Sequence, residues 1–203
     1  MAVMPMFPLG SVLLPGAMLP LHVFEPRYQQ LVRDCVDAPA HEFGVVLIDR
    51  GQEVGGGDSR LDVGVVAEIM QVAAMDGGRF AVVALGTRRI RVRQWLADDP
   101  YPRAEVEQWP DDDGVLSTDR LEEVAARVKR CVGLAVEMGD RSGVPDVELS
   151  HDPTIDTFLL AAISPFGPAD QYAVLCAADP VTRLELIDRL LGDAEAGLRF
   201  RLG

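Results

Sequence analysis

Pro8, Pro15, Pro20 and Pro26 interrupt the apolar stretch FPLGSVLLPGAMLPLHVFEPRY (residues 7–28) every five to seven residues. This spacing excludes the structure that hydrophobicity alone would suggest. A proline lacks the N–H and clashes with the preceding turn, at about 3 kcal/mol inside a helix. A membrane span needs about 20 apolar residues without repeated breaks. A secretory signal needs a basic region ahead of its apolar core, whereas the first arginine is Arg27. The chain is therefore expected to be cytoplasmic, with no membrane contact. The prolines instead delimit short extended pieces. Pro15-Gly16 is expected to turn, Pro20 to lie on an edge strand, and Pro26 to open a helix at its first position. Between them, Phe7, Leu9, Leu13, Leu14, Leu19, Leu21, Val23 and Phe24 are expected to close one side of a β core.

The texture changes near residue 110. Before it, Val/Ile-rich runs at 42–49, 62–73, 78–85, 88–96 and 102–109 read as strands. A loop is expected at 51–60, and Asp76-Gly77-Gly78 marks a hairpin because those residues accept φ > 0. The single helix of this half should run from Pro26 through Val36. After PDDDG (110–114), Leu121, Val124, Ala125, Val128, Cys131, Val132 and Ala135 repeat at helical spacing. Asp119 and Glu122 can form a capping box. Asp152-Pro153 and Asp179-Pro180 each place an N-cap before a proline at N1, and Pro168 opens a further helix. Four helices are expected after a β domain, packed as a bundle against it with a groove at the junction. The domains are thus 1–114 and 115–203.

Several chemistries find no support. Lys129 is the sole lysine and lies in RVKRC with no glycine loop, which excludes a P-loop. A Ser–Lys dyad would have to use the same residue. His22, His41 and His151 show no metal-ligand spacing, and Cys35, Cys131 and Cys176 form no CxxC pair. No GxSxG elbow is present. No catalytic residue, metal or cofactor is expected. In TRRIRVRQW, Arg89, Arg91 and Arg93 alternate with Ile90 and Val92, placing three guanidinium groups on one strand face. They can form a phosphate-binding stripe or pair with Glu105 and Glu107. The formal net charge of −13 favours pairing, since an acidic surface repels nucleic acid.

The ordered elements Pro8-Leu9, Pro15-Gly16, Leu19-Pro20-Leu21 and Phe24-Glu25-Pro26-Arg27-Tyr28 resemble the opening of the Lon protease N-terminal, substrate-binding domain. A second stretch, GVVAEIMQVAAMDGGRFAVVALGTRRIRV, is similar to the family's strand, Asp-Gly turn and strand ending in Gly-x-x-Arg, here Gly86 to Arg89. YAVLCAADPVTRLELIDRLL resembles the domain's helical end. The likeness covers most of the chain and is weakest across 110–150. It implies an α+β fold, with a PUA-like (pseudouridine-synthase-and-archaeosine-transglycosylase) β-barrel carrying one helix and followed by a C-terminal helical bundle. It further implies a free-standing, non-catalytic module without the ATPase and protease parts. Such a module would bind exposed apolar polypeptide segments or serve a protease or chaperone partner in protein quality control.

The motif residues Pro20, Glu25, Pro26, Arg27, Tyr28, Gly86 and Arg89 read as structural. Glu25 is expected to cap the helix and accept from Arg27, Tyr28 to pack, and Arg89 to meet an acidic group. For peptide contact the first candidate is the groove expected at the junction of the two halves; the residue candidates are Met18 and Leu19 after the Pro-Gly turn, Met75 at the hairpin tip, and Met70 and Phe80 on the flanking strands. Methionines adapt to varied partners. Burial of Met70 and Phe80 is the competing expectation. The alternative function is an RNA-binding PUA-like domain using Arg88, Arg89, Arg91 and Arg93.

Overall fold

Strand β1 (Ala2–Leu9) divides its pairing between two partners. Ala2–Pro5 run antiparallel to β6 (Arg103–Gln108), and Met6–Leu9 run parallel to β3 (Glu42–Arg50). Each half of β1 therefore has one partnered side, which is how a strand accommodates Pro5 and Pro8. The computed structural model describes residues 1–50, 59–137, 149–150 and 152–202, with the side chains of 198–202 excepted. The chain divides into two units, Met1–Pro110 and Asp111–Gly203.

In the first unit β2 (Met18–Val23), β4 (Ser59–Ala74) and β5 (Phe80–Trp95) complete a six-stranded mixed sheet of order β2-β5-β4-β3-β1-β6. The runs 78–85 and 88–96 are one strand, β5. Its first part pairs with β2 and its last part with β6, while β4 runs along its length. The pairing of β6 with both β1 and β5 rolls this part of the sheet round on itself. Strand β2, however, pairs on one side only and leaves an open edge. The expected PUA-like β-barrel is thus corrected: the fold is α+β with a mixed sheet that is not a closed barrel. Pro20 lies within β2, opposite Val83. A proline adds no donor to an edge, so it blunts that edge against further strands.

Gly86 lies where β5 passes the segment after β1. A Cβ there would sit 2.5 Å from the Leu14 carbonyl oxygen. The absent side chain allows the close approach that carries two backbone bonds, Gly16 N–H to Gly86 O (2.8 Å) and Gly86 N–H to Ala17 O (2.9 Å). The β4–β5 hairpin turns at Asp76–Gly78, with φ of 74° and 75° at Gly77 and Gly78. Helix α1 (Pro26–Asp37) buries Tyr28, Leu31, Val32 and Cys35. Tyr28 stacks on Phe7 with ring centroids 4.1 Å apart. Met6, Val46, Val66, Ile90, Val92, Ala104 and Val106 form a core cluster of the sheet. Of the apolar residues assigned to the core before residue 25, Leu19 and Leu21 are half-buried. Phe24 corrects its expectation, being 54% exposed.

The second unit contains α2 (Thr118–Glu137), α3 (Pro153–Ile163), α4 (Pro168–Leu175) and α5 (Pro180–Leu202). Asp152 accepts from the Thr154 and Ile155 N–H groups, and Asp179 from those of Val181 and Thr182. Asp119 lies inside the first turn of α2 and not at its cap, because the helix begins one residue earlier. Arg127 of α2 bonds Asp188 and Glu195 of α5. Arg183 is fully buried over the Phe158 ring, paired with Asp111 at 2.7 Å and donating to Thr157 Oγ1 at 2.9 Å. The loop expected at 51–60 falls outside the described residues up to residue 58, as does His151. No helix among the described residues is long and apolar enough to cross a membrane.

Candidate functional site

Strand alternation in β2 turns Leu19, Leu21 and Val23 inward and leaves Met18, Pro20 and His22 exposed. Phe24 follows at the position before the α1 N-cap. A residue there often staples to an apolar partner four positions into the helix. In α1 that position is Gln29, whose side-chain amide donates to the Phe24 carbonyl at 2.9 Å. With a polar residue where the staple needs an apolar one, the Phe24 ring is left facing solvent.

Three adjoining clefts meet around this ring and the nearby hairpin. The first, about 200 Å³, is lined by Phe7, Leu9, Pro20 to Glu25, and Tyr28. The second, about 150 Å³, is lined by His22, Val23, Phe24, Met75, Arg79 and Phe80. The third, about 400 Å³, lies between α1 and the hairpin and is lined by Val32, Arg33, Val36, Asp37, Val72, Ala74 and Phe80. Phe24 is shared by the first two, and Phe80 by the last two. Together with Phe24, Val36 and Met75 are among the large apolar side chains left exposed. Aromatic and thioether groups at the junction of shallow clefts suit apolar ligands of varied shape.

The structure brings together two of the five proposed peptide contacts, Met75 and Phe80. Met18 and Met70 are more than half exposed, so burial does not claim Met70, but neither lines these clefts. Met18 lies at the far end of β2 from Val23 and Phe80, opposite Leu85. Met70 sits at the register shift between Ile69 and Gln71, and Leu19 is half-buried opposite Ala84. Phe24 and His22 were not singled out by the sequence reading for contact. The staple pattern at Gln29 is the signal that could have found Phe24.

The motif residues Glu25, Pro26, Arg27 and Tyr28 support this region, whereas Arg89 lies elsewhere in the unit. Pro26 is the first residue of α1, and Glu25 occupies its N-cap without a side-chain capping bond. Its carboxylate instead accepts from Arg27 Nε at 3.1 Å, while the Arg27 guanidinium lies 4.5 Å over the Tyr28 ring. Arg89 is buried, lies 4.3 Å over the Trp109 ring and donates to the Pro110 carbonyl.

The other arginines of β5 are also engaged. Arg88 makes two 2.7 Å bonds to Glu42. These hold the Glu42 carboxyl below its ordinary range, against a smaller opposing effect of burial. Arg93 pairs with Glu107, and Arg91 lies 4.0 Å over Trp109. With Arg88 and Arg93 neutralised by carboxylates and Arg89 buried, only Arg91 of the stripe keeps donors for a phosphate backbone. Nucleophilic chemistry fares no better. Burial, reinforced by the Asp34 charge, pushes the Cys35 thiol up to about 12, so its reactive thiolate is scarce at neutral pH. Among the described residues no group of three His, Cys, Asp or Glu could hold a metal ion.

A family model described as the ATP-dependent protease La (LON) substrate-binding domain matches residues 3–193. The chain belongs to this family. It is a Lon-type substrate-binding module, non-catalytic and distinct from the ATPase and protease modules. The chain is 28% identical over 203 residues to the Lon protease of Anaeromyxobacter dehalogenans, covering 99% of this chain and 22% of that protein. It is also 28% identical over 208 residues to Lon protease 2 of Sorangium cellulosum, covering 97% and 25%. This chain therefore spans about a quarter of these curated relatives. Among solved structures, the Lon N-terminal domain protein from Xanthomonas campestris superposes with a TM-score of 0.68 at 30% identity, covering 95% of this chain and 98% of that one. The N-terminal domain of the Mycobacterium avium complex Lon protease shares the fold, with a TM-score of 0.62 at 21% identity over 95% and 99% of the two chains.

Proposed function

We propose that this Lon-type module binds exposed apolar segments of unfolded polypeptides in the clefts that meet at Phe24 and Phe80. In this role it hands clients to a protease or chaperone partner during cytoplasmic protein quality control. The observation that carries the reading is the exposed Phe24 ring shared by two clefts, with Met75 and Phe80 beside it. A soluble fold does not leave a large aromatic ring exposed beside apolar clefts without cost, and such patches mark interaction sites. The engaged arginines of β5 weigh against the RNA-binding alternative.

The test is titration of the purified protein into a fluorescently labelled, permanently unfolded polypeptide and, separately, into labelled single-stranded RNA at low salt. Micromolar binding of the polypeptide, little changed by added salt, is expected, without hydrolysis of polypeptide or ATP. Retention of the RNA with no binding of the polypeptide would refute the proposal.

A further inference from the structure

The clefts are apolar, and the two that share Phe80 are edged by two arginines against one carboxylate, Asp37. Arg33 and Arg79 stand on either side of Phe80, Arg33 in the larger cleft and Arg79 in the smaller. The Arg33 guanidinium lies 5.4 Å over the Phe80 ring. The Arg79 Nε is held by the Asp76 backbone carbonyl at 2.9 Å, which leaves its two terminal nitrogens to a ligand. Among the described residues neither guanidinium has a carboxylate at ion-pair distance. Of the carboxylates nearby, Asp76 lies in the hairpin turn next to Met75 and lines neither cleft. Glu25 is paired with Arg27, Asp37 shares the larger cleft with Arg33, and the smaller cleft is lined by no acidic side chain. His22, which lines the first two clefts, adds no negative charge.

These arginines stand out because the chain carries a formal net charge of −13. Within one unit of an acidic protein, the apolar clefts are edged by cations without ion-pair partners. We propose that the preferred occupant is a polypeptide segment in which bulky apolar residues are flanked by carboxylates. The apolar residues would cover Phe24, Met75 and Phe80 while the flanking acids meet Arg33 and Arg79. A guanidinium offers a planar fork that matches a carboxylate. This inference rests on the polypeptide-binding reading above and adds the sequence class of the client.

The preference runs against the long-range field. A protein of this net charge repels acidic ligands through its summed field, and salt screens that repulsion beyond a length of about 8 Å. A preference for acidic flanks can then come only from local contacts. The probes are three labelled synthetic peptides with one Phe-Leu-Trp core, flanked by Asp, by Asn or by Lys, with binding measured by fluorescence anisotropy. The Asp-flanked peptide should bind about threefold or more tighter than the Asn-flanked one, as expected for two partly exposed ion pairs, and the Lys-flanked peptide most weakly. Added salt should narrow the Asp–Asn difference. In the double variant R33Q/R79Q the ratio of the two affinities should fall to about one. Equal or weaker binding of the Asp-flanked peptide, with the Asn-flanked peptide still bound, overturns the acidic preference and leaves the polypeptide-binding reading standing. Failure of all three peptides to bind overturns both.

Discussion

Replacing Phe24 by serine separates binding from folding, because the ring is divided between the two. A phenylalanine side chain carries about 200 Å² that can be buried. With 54% of the residue exposed, about 110 Å² is free for a client to cover. At about 25 cal/mol per Å² this is worth at most about 2.7 kcal/mol, or about 100-fold in Kd. A client that covers half of it gives about tenfold. The part of the ring already buried amounts to about 2 kcal/mol of folding stability on the same scale, so F24S should also melt at lower denaturant. The assay is anisotropy of a labelled unfolded polypeptide at a temperature where F24S is folded, with urea titration alongside. Val115, which is 99% exposed in the other unit, supplies the control: V115S should leave both Kd and the urea midpoint unchanged. If folded F24S binds within about twofold of the parent chain, the ring is not part of the binding surface and the reasoning fails.

Gly86→Ala should destabilise the first unit by about 1–3 kcal/mol, as overpacking does, because its Cβ meets a backbone oxygen at 2.5 Å that no rotamer change can move; an unchanged urea midpoint would contradict this. The Glu42–Arg88 pair should make stability depend on acid. Glu42 has a lowered carboxyl pKa in the folded chain, so its contribution is present above the unfolded value of about 4.3 and is lost as pH falls through the folded value. E42Q should therefore be less stable than the parent at neutral pH, and the gap should shrink below about pH 4; a gap constant with pH would remove the pair as its cause.

Local chemistry made much of the fold readable. Asp-Pro dipeptides announced α3 and α5 because aspartate accepts from the free N–H groups while proline lacks one. The edge position of Pro20 was readable for the same kind of reason, since a proline has no N–H to give to a ladder. What escaped the sequence was pairing at a distance. Nothing in residues 78–96 says that one strand carries two different neighbours on one side, so they read as two runs, 78–85 and 88–96, while the barrel was an implication of the family resemblance. Met70 was unreadable because a register shift at Ile69–Gln71 overrides alternation. Phe24 was misread as core because apolar character was counted without asking what Gln29 could offer it.

The divided pairing of β1 has a consequence for synthesis. Its first half needs residues 103–106 and its second half residues 44–47, while β2 needs residues 80–85. The ribosome makes β1 and β2 before these partners, and β6 after the other five strands of the sheet. At about 5–20 residues per second, Met6, Phe7, Leu9, Leu13 and Leu14 wait for about 5–20 seconds before the whole sheet can assemble around them. During that interval the nascent chain displays an apolar stretch of the kind that its finished form is proposed to capture. The prolines spaced through it keep that waiting stretch from settling into a helix or joining a neighbouring nascent strand.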